Sequence, residues 1–200
     1  MYYEDWSVRK AMDPRDPKTF ESQYSAGLWG WWIYFDLIAA TPLMHAYDLV
    51  HPTGIMQDMG IVEPLNDMFA LHLQCQRTYG DMPEFSNMDA AQIRGFFTYG
   101  KLLDQPELCH EAVWWIGAIF KSSFYADGWW HEGSFSYHKQ IHHNLQGIVN
   151  NWLVGYSDPP GFAATDGTRF DDYQPSVLLQ RAMDRSDHVM ATCIQPNGIA

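Results

Sequence analysis

The sequence contains few basic residues and few cysteines. Twelve lysines and arginines stand against 24 aspartates and glutamates, which leaves the 200-residue chain with a formal net charge of −12. An acidic chain without a basic run repels phosphate groups, so we expect neither nucleic acid nor an anionic membrane surface as a partner. Cys75, Cys109 and Cys193 are widely spaced, odd in number and without a CxxC pair. We expect three buried apolar side chains, not a disulfide framework or a zinc site.

Long apolar runs and strand patterns are also missing. The longest apolar stretch, residues 27–44, is interrupted by Asp36 and Pro42 and is not a membrane span. Residues 1–18 lack a basic start followed by an apolar core, so we expect no signal peptide there. No alternating β-branched run and no Asn-Gly hairpin occurs, which argues against a β-sheet. Because the chain stops in the turn-like QPNGIA, we expect it to be cut before its next element.

Apolar residues recur three and four positions apart along most of the chain after Leu28. This spacing predicts an all-α fold of five to seven helices, with Pro42 kinking or dividing the first one. Short connections favour antiparallel helical hairpins, which suit a bundle, a solenoid or an α/α toroid. The predicted helical segments are about 28–50, 62–80, 86–104, 105–125, 134–156 and 173–188.

Three local signals mark where helices begin. Ser86 and Asp89 have the Ser-x-x-Asp spacing of a capping box, in which the carboxylate reaches back to the cap. Pro106 follows Asp104 and Gln105 and suits the first turn of a helix. Ser134 is predicted near the cap of the long helix, which places Tyr137 in its first turn.

Residues 127–138 read DGWWHEGSFSYH and combine several aromatic rings with side chains that can form hydrogen bonds. Gly128 and Gly133 let the loop bend sharply and let its backbone approach a ligand closely. Trp129 and Trp130 offer faces on which a sugar ring can stack. We interpret the stretch as the wall of a cleft, within a chain whose aromatic content of 16% is high enough to line one.

Polar groups in and near this stretch are candidates for binding and proton transfer. Glu132 can order the loop or bind a sugar hydroxyl, and His138 suits a hydrogen-bonded role in the cleft. A phenol titrates near 10, so Tyr137 as a base needs help from a helix N-terminus or a nearby cation. Asn87 begins the upstream helix, and Arg94 lies two turns further along the same face, where it can bind a carboxylate.

Other interpretations of the same residues stay open. Asp127 and Glu132 are a possible glycosidase pair, although an aspartate before a turn glycine usually bonds its own backbone. His138 and His142 have a spacing that can hold zinc, but no HExxH is present and we expect no metal and no cofactor. Trp114 and Trp115 lie in an apolar helix, so we expect them in the core.

The segment DGWWHEGSFSYH resembles the Asp-Gly-x-x-x-Glu-Gly-Ser-x-x-Tyr-His signature of the heparinase II/III-like polysaccharide lyases, which include alginate and oligoalginate lyases. The upstream SNMDAAQIRG is similar to the Asn segment of that family, although Met88 stands where many relatives have histidine. The resemblance implies an α/α toroid followed by β-sandwich domains, and cleavage of uronate-containing polysaccharides by β-elimination. It also implies a secreted or periplasmic protein.

The resemblance assigns Tyr137 as the base that removes the proton and also as the acid that protonates the leaving oxygen. It assigns Asn87 as the group that neutralises the uronate carboxylate. The remaining candidates are expected to bind an acidic polysaccharide: Arg94, Trp129, Trp130, Glu132 and His138. We expect residues 1–26 to be an irregular lead-in and 27–200 to be part of an α/α-toroid catalytic domain, cut before a C-terminal β-sandwich region. The rival hypotheses are a glycoside hydrolase of the same architecture and a non-catalytic carbohydrate-binding module.

Overall fold

The computed structural model describes residues 33–79 and 85–193. The predicted lead-in over 1–26 and the start of the first predicted helix lie outside them. Within these two ranges the chain is all-α, as predicted, and its one β-type contact is an isolated bridge between Phe124 and Trp130. The helices are α1 (Ile33–Val50), α2 (Ile55–Asp58), α3 (Val62–Tyr79), α4 (Asp89–Leu102), α5 (Pro106–Ser122), α6 (Phe135–Gly147) and α7 (Val177–Cys193).

Local capping chemistry explains where α4 and α6 begin. The Ser86 hydroxyl accepts the Met88 N–H at 3.2 Å, and the Asp89 carboxylate accepts the Ser86 N–H, which confirms the capping box. Ser134 has an extended backbone and its hydroxyl accepts the Tyr137 N–H, which confirms the predicted cap and places Tyr137 in the first turn of α6. Helix α5 begins at Pro106, also as predicted.

Several predicted boundaries are wrong. Helix α1 continues through Pro42, so the proline does not divide it. The α-helical part of the long helix ends at Gly147, where a π-helical turn over Ile148–Trp152 takes over. The last helix begins at Val177 instead of near Tyr173, because the Ser176 hydroxyl caps it by accepting the Leu179 N–H at 3.2 Å.

The described residues fall into two compact units. The first unit comprises residues 33–79 and 95–105, and the second comprises residues 85–94 and 106–193. In the first unit the Phe69 ring packs edge-on against Tyr47 and Tyr99. The Tyr99 hydroxyl also lies 3.1 Å from Nδ1 of the buried His72.

The second unit contains every predicted site residue. Helix α7 packs against α6 and α5 there, around a core that includes Ile116, Ile119 and Ile141. Cys109 is buried as predicted, whereas Cys193 is half-buried. The side chain of Cys75 is not among those that the structure describes. None of the described helices is long and apolar enough to cross a membrane.

A buried carboxylate holds the loop that leads from the π-helical turn to α7. Asp158 accepts the Phe170 N–H at 2.6 Å and lies 2.9 Å from His110 Nε2 on α5. Burial alone would raise the pKa of Asp158, but the bonds from Phe170 and His110 outweigh it, so its pKa lies below the usual value. Arg169 donates to the carbonyl groups of Pro159 and Phe162, which closes the loop on itself.

Candidate functional site

Tyr137 projects from the first turn of α6 with 47% of its surface exposed. The phenol is therefore accessible to a ligand, as a proton-transfer residue must be. Its position at the helix N-terminus also places it where the helix dipole favours a negative charge.

Asn87 contacts the same helix. Its Nδ2 donates to Gln140 Oε1 at 2.8 Å, although the two residues are 53 positions apart in the chain. Gln140 lies three residues after Tyr137, so both side chains project from one face of α6. The segments 86–95 and 127–144, which the same family resemblance singled out, are thus joined by a direct side-chain contact.

A second contact ties the same segments together. His131 Nε2, in the loop before α6, lies 2.9 Å from the carbonyl oxygen of Phe85, just ahead of the α4 cap. Met88, which stands where the family has histidine, is buried, and its sulfur accepts a bond from Gln140 Nε2 at 3.3 Å. Met88 therefore supports Gln140 by packing and supplies no titratable group.

Trp130 is fully buried, which contradicts its predicted role as a stacking face. Its ring packs edge-on against Phe124 with centroids 5.2 Å apart, and its Nε1 donates to Glu132 Oε2 at 2.9 Å. A ring without exposed surface cannot accept a sugar. The exposed Glu132 carboxylate orders the loop through this bond, and its predicted contact with a sugar hydroxyl stays a prediction.

His138 is also fully buried, so the prediction that it lines a cleft is wrong. Its Nδ1 accepts the Trp130 N–H at 3.0 Å, which places the proton on Nε2, 3.3 Å from the Ser186 carbonyl oxygen. Burial lowers the pKa of His138, which agrees with a neutral ring. His138 is therefore a structural residue that fastens the loop to α7.

Trp129 covers His138. The two rings stack with centroids 4.9 Å apart and an interplanar angle of 14°. One face of this half-buried indole is therefore occupied, and only the other face is left for the predicted sugar contact.

His138 and His142 belong to a buried polar chain that reaches α7. His142 Nδ1 lies 2.8 Å from Ser186 Oγ, and its Nε2 lies 2.8 Å from the carboxylate of Asp187. Burial lowers the pKa of His142, partly offset by Asp187. The described residues hold no group of three or more His, Cys, Asp or Glu side chains placed to bind a metal. The i, i+4 spacing does place both histidines on one face of α6. Their hydrogen-bond partners, Ser186 and Asp187, come from α7 and were not predicted from the sequence.

Arg94 lies at the end of the same segment as Asn87. Its guanidinium stands 5.3 Å from the centre of the Trp152 ring, and burial lowers its pKa. This contact with Trp152 does not test whether Arg94 binds a substrate carboxylate, so that role stays a prediction.

Gly128 makes a close backbone approach, but not to a ligand. At its φ of 96°, a Cβ atom would lie 2.6 Å from the backbone carbon of Arg185 on α7. The preceding Asp127 accepts the Trp129 N–H at 3.0 Å, which is the local turn bond expected of it. This bond gives Asp127 a structural role and weakens the glycosidase-pair interpretation.

Trp114 is exposed over 63% of its surface, so its predicted place in the core is wrong. The buried positions of α5 include 108, 112, 116 and 119, a stripe from which position 114 points away. The helical periodicity contained this signal. Trp115 is half-buried and packs edge-on against Trp114 with centroids 4.6 Å apart.

The first unit has an open cavity of about 530 Å³ that none of the predicted site residues lines. Tyr47 and Asn66, whose side chains share a hydrogen bond of 2.9 Å, form part of its wall together with Lys101. This cavity and the residues of the motif are therefore separate features. No protein-family model matches the chain, and no solved structure matches it.

Proposed function

We propose that the protein is a polysaccharide lyase that cleaves a uronate-containing polysaccharide by β-elimination, on helical hairpins that form part of an α/α toroid. One observation supports the proposal above others. The bond from Asn87 to Gln140 attaches the carboxylate-neutralising amide to the face of α6 that carries the exposed Tyr137.

The reaction needs a donor for the carboxylate and a base for the neighbouring carbon. The proton at C5 of a uronate is weakly acidic while the carboxylate is fully charged, and a donor to that carboxylate stabilises the enolate-like intermediate. The Asn87 amide has two N–H groups; one donates to Gln140, and the second is proposed to donate to the substrate carboxylate.

Tyr137 removes the C5 proton as a phenolate. The C5–H electrons form the C4–C5 double bond, the C4–O bond breaks, and the departing glycosidic oxygen takes a proton. Tyr137, protonated in the first step, returns that proton to the oxygen, so the phenolate is regenerated and no cofactor is consumed.

The charge of the protein favours substrates of low charge density. At a net charge of −12, a heavily sulfated chain would be repelled more strongly than an unsulfated uronate such as alginate. Trp129, Glu132 and Arg94 are proposed to contribute to binding around the reacting sugar.

The test is incubation of the protein with alginate, heparosan and hyaluronan, followed by the ultraviolet absorbance of an unsaturated uronate. We expect absorbance to rise with at least one polymer and with Tyr137 intact. New reducing ends without absorbance would identify a hydrolase and overturn the proposal. Binding without any cleavage by the folded protein would identify a carbohydrate-binding module.

A further inference from the structure

The hydrogen bonds of His138 and His142 fix where each proton of their buried chain lies. His138 Nδ1 accepts the Trp130 N–H at 3.0 Å, so the proton of this neutral ring is on Nε2, 3.2 Å from Ser186 Oγ. His142 Nε2 stands 2.8 Å from the Asp187 carboxylate and carries a proton, because two acceptors would repel each other at this distance. His142 Nδ1 is therefore the acceptor for the Ser186 hydroxyl, 2.8 Å away. Every N–H and O–H of the chain thus points from the loop before α6 towards Asp187.

The two histidines differ in what one added proton does to this pattern. On His142 the new N–H at Nδ1 would face the Ser186 hydroxyl, which can turn and accept it, because a hydroxyl both accepts and donates. On His138 the new N–H would face the Trp130 N–H, and a backbone N–H cannot accept a hydrogen bond. Protonation of His138 is therefore incompatible with the bond that attaches the loop to α6.

The surroundings of His138 favour its uncharged form while the loop is attached. Burial is the largest effect, and it lowers the pKa of the ring. His142 on the same helix also opposes the proton, whereas Asp127 in the loop favours it. Phe124, just after α5, and Trp129 present uncharged rings, and α7 presents the uncharged hydroxyl and carbonyl groups of one serine. A single carboxylate thus stands against burial and a neighbouring histidine.

We propose that His138 is a pH-sensitive switch: when its ring gains a proton, the loop around Trp130 (residues 127–133) detaches from α6 and α7 while the rest of the second unit stays folded. The loop keeps its attachment to the end of α5, because the His131 N–H donates to the Ser123 carbonyl at 3.0 Å and neither group titrates. Detachment therefore opens one side of the loop and leaves its other side in place.

The switch acts on the candidate site through the side chain of His131. Its Nε2 lies 2.9 Å from the carbonyl oxygen of Phe85, two residues before Asn87. Movement of the loop therefore disturbs its contact with the segment that carries Asn87. The inference does not depend on the proposed function, because it concerns a hydrogen bond within the protein and no substrate.

A single titrating group gives the switch a quantitative signature. In the detached loop His138 titrates near the ordinary value of about 6.5, whereas in the attached loop its pKa is lower. The detached state therefore binds more protons below that pH, and its population rises by up to about tenfold for each pH unit. Because the Trp130 amide exchanges with solvent from the detached state, its protection against exchange falls by the same factor.

The experiment measures amide hydrogen exchange of the full chain by NMR between about pH 7.5 and about pH 5. Each rate is divided by the intrinsic rate of the same amide at that pH. We expect the protection of the Trp130 amide to be constant above about pH 6.5 and to fall by up to about tenfold per pH unit below it. The amide of Ile141, in the core of the same unit, is expected to stay better protected than that of Trp130 at every pH.

Two variants identify the titrating group. His138→Asn keeps a side-chain acceptor for the Trp130 N–H but cannot gain a proton, so we expect the Trp130 protection to lose its dependence on pH. His143→Asn, at an exposed histidine of the same helix, is the matched control and is expected to keep the dependence. The ¹⁵N chemical shifts of the His138 ring test the unmodified protein directly, with the proton expected on Nε2 near neutral pH.

Three results would each overturn the switch. The first is a Trp130 protection that is independent of pH in the unmodified protein, or equal to that of Ile141, which would show that the loop opens only when the whole unit unfolds. The second is a fall that persists in His138→Asn, because another group would then control the loop. The third is a proton on Nδ1 of His138 at neutral pH, since this ring could not accept the Trp130 N–H.

Discussion

The side chain of Asn87 donates a hydrogen bond of 2.8 Å to Gln140, one helical turn after Tyr137. The bond connects a residue at the start of α4 with a residue on α6, and both segments belong to the second unit. The bond attaches the segment of Asn87 to the helix that carries Tyr137, which is the strongest structural reason to test these two residues together.

Tyr137→Phe is expected to lower kcat for elimination about 100- to 10,000-fold, since it removes the only proton-transfer group proposed for the reaction. The side chain is half-exposed, so the free energy of unfolding is expected to change by less than about 0.5 kcal/mol. Absorbance of the unsaturated product and urea denaturation measure the two effects. Tyr125→Phe, at another exposed tyrosine, is the control; comparable losses in both variants would contradict the assignment.

Asn87→Ala is expected to reduce kcat/KM about 100- to 1,000-fold, because the developing charge loses its donor. Gln140→Met keeps the Asn87 amide but removes the side chain that holds it. This variant is expected to reduce kcat/KM about 10- to 100-fold, because the Asn87 amide is misplaced. Each variant loses the same hydrogen bond, so each is expected to lower the free energy of unfolding by about 1 kcal/mol. Steady-state kinetics at matched fractions of folded protein check this order. Full activity of Asn87→Ala would remove the amide from the mechanism.

Gly128→Ala is expected to destabilise the protein by about 2–4 kcal/mol, because the new Cβ meets the backbone of Arg185 at a left-handed φ. Gly133→Ala has the same backbone problem, with a φ of 70°, but open space around it. It is expected to cost only about 1–2 kcal/mol. Thermal or urea unfolding compares the pair, and equal losses would show that the approach to α7 is not what requires Gly128.

The free energy of unfolding is expected to fall as the pH drops below about 6.5, the value of an unfolded histidine. Burial lowers the pKa of His138 and His142 in the folded protein, so the unfolded state binds more protons below that pH. Stability therefore rises with pH within this window, by up to about 1.4 kcal/mol per pH unit for each such histidine. In the first unit, burial lowers the pKa of His72 to about 3, which extends the effect to more acidic conditions.

His142→Asn keeps an acceptor for the Ser186 hydroxyl but removes one titrating group. It is expected to reduce the slope of the free energy of unfolding against pH, just below about pH 6.5, by up to about 1.4 kcal/mol per pH unit. Urea titrations across this range measure the slope, with His131→Asn, at an exposed histidine, as the control. An unchanged slope would show that His142 is protonated in the folded state.

The agreement between prediction and structure is best where the determining chemistry is local. The caps at Ser86 and Ser134 depend on bonds between residues two or three positions apart, and both were predicted correctly. The end of α6 was not, because the change to a π-helical turn at Ile148 leaves no mark in the apolar pattern.

The same distinction applies to the candidate site. Adjacent aromatic and polar residues in 127–138 indicate a candidate functional segment, but they do not indicate which of its side chains are buried. Trp129 and Trp130 are neighbours, yet one is fully buried against Phe124 and the other lies over His138. The packing of the loop decides this, and one of its contacts is the close approach of Gly128 to Arg185 on α7.

From the sequence alone, periodicity and capping chemistry determined an all-α chain, the start of α6 and the presence of Tyr137 in its first turn. The tertiary structure decided that Asn87 reaches the same helix, that Trp130 and His138 are buried, and that Trp114 is exposed. The physical reason is range: helix propensity and caps act over one turn, whereas burial depends on which distant helix covers each face.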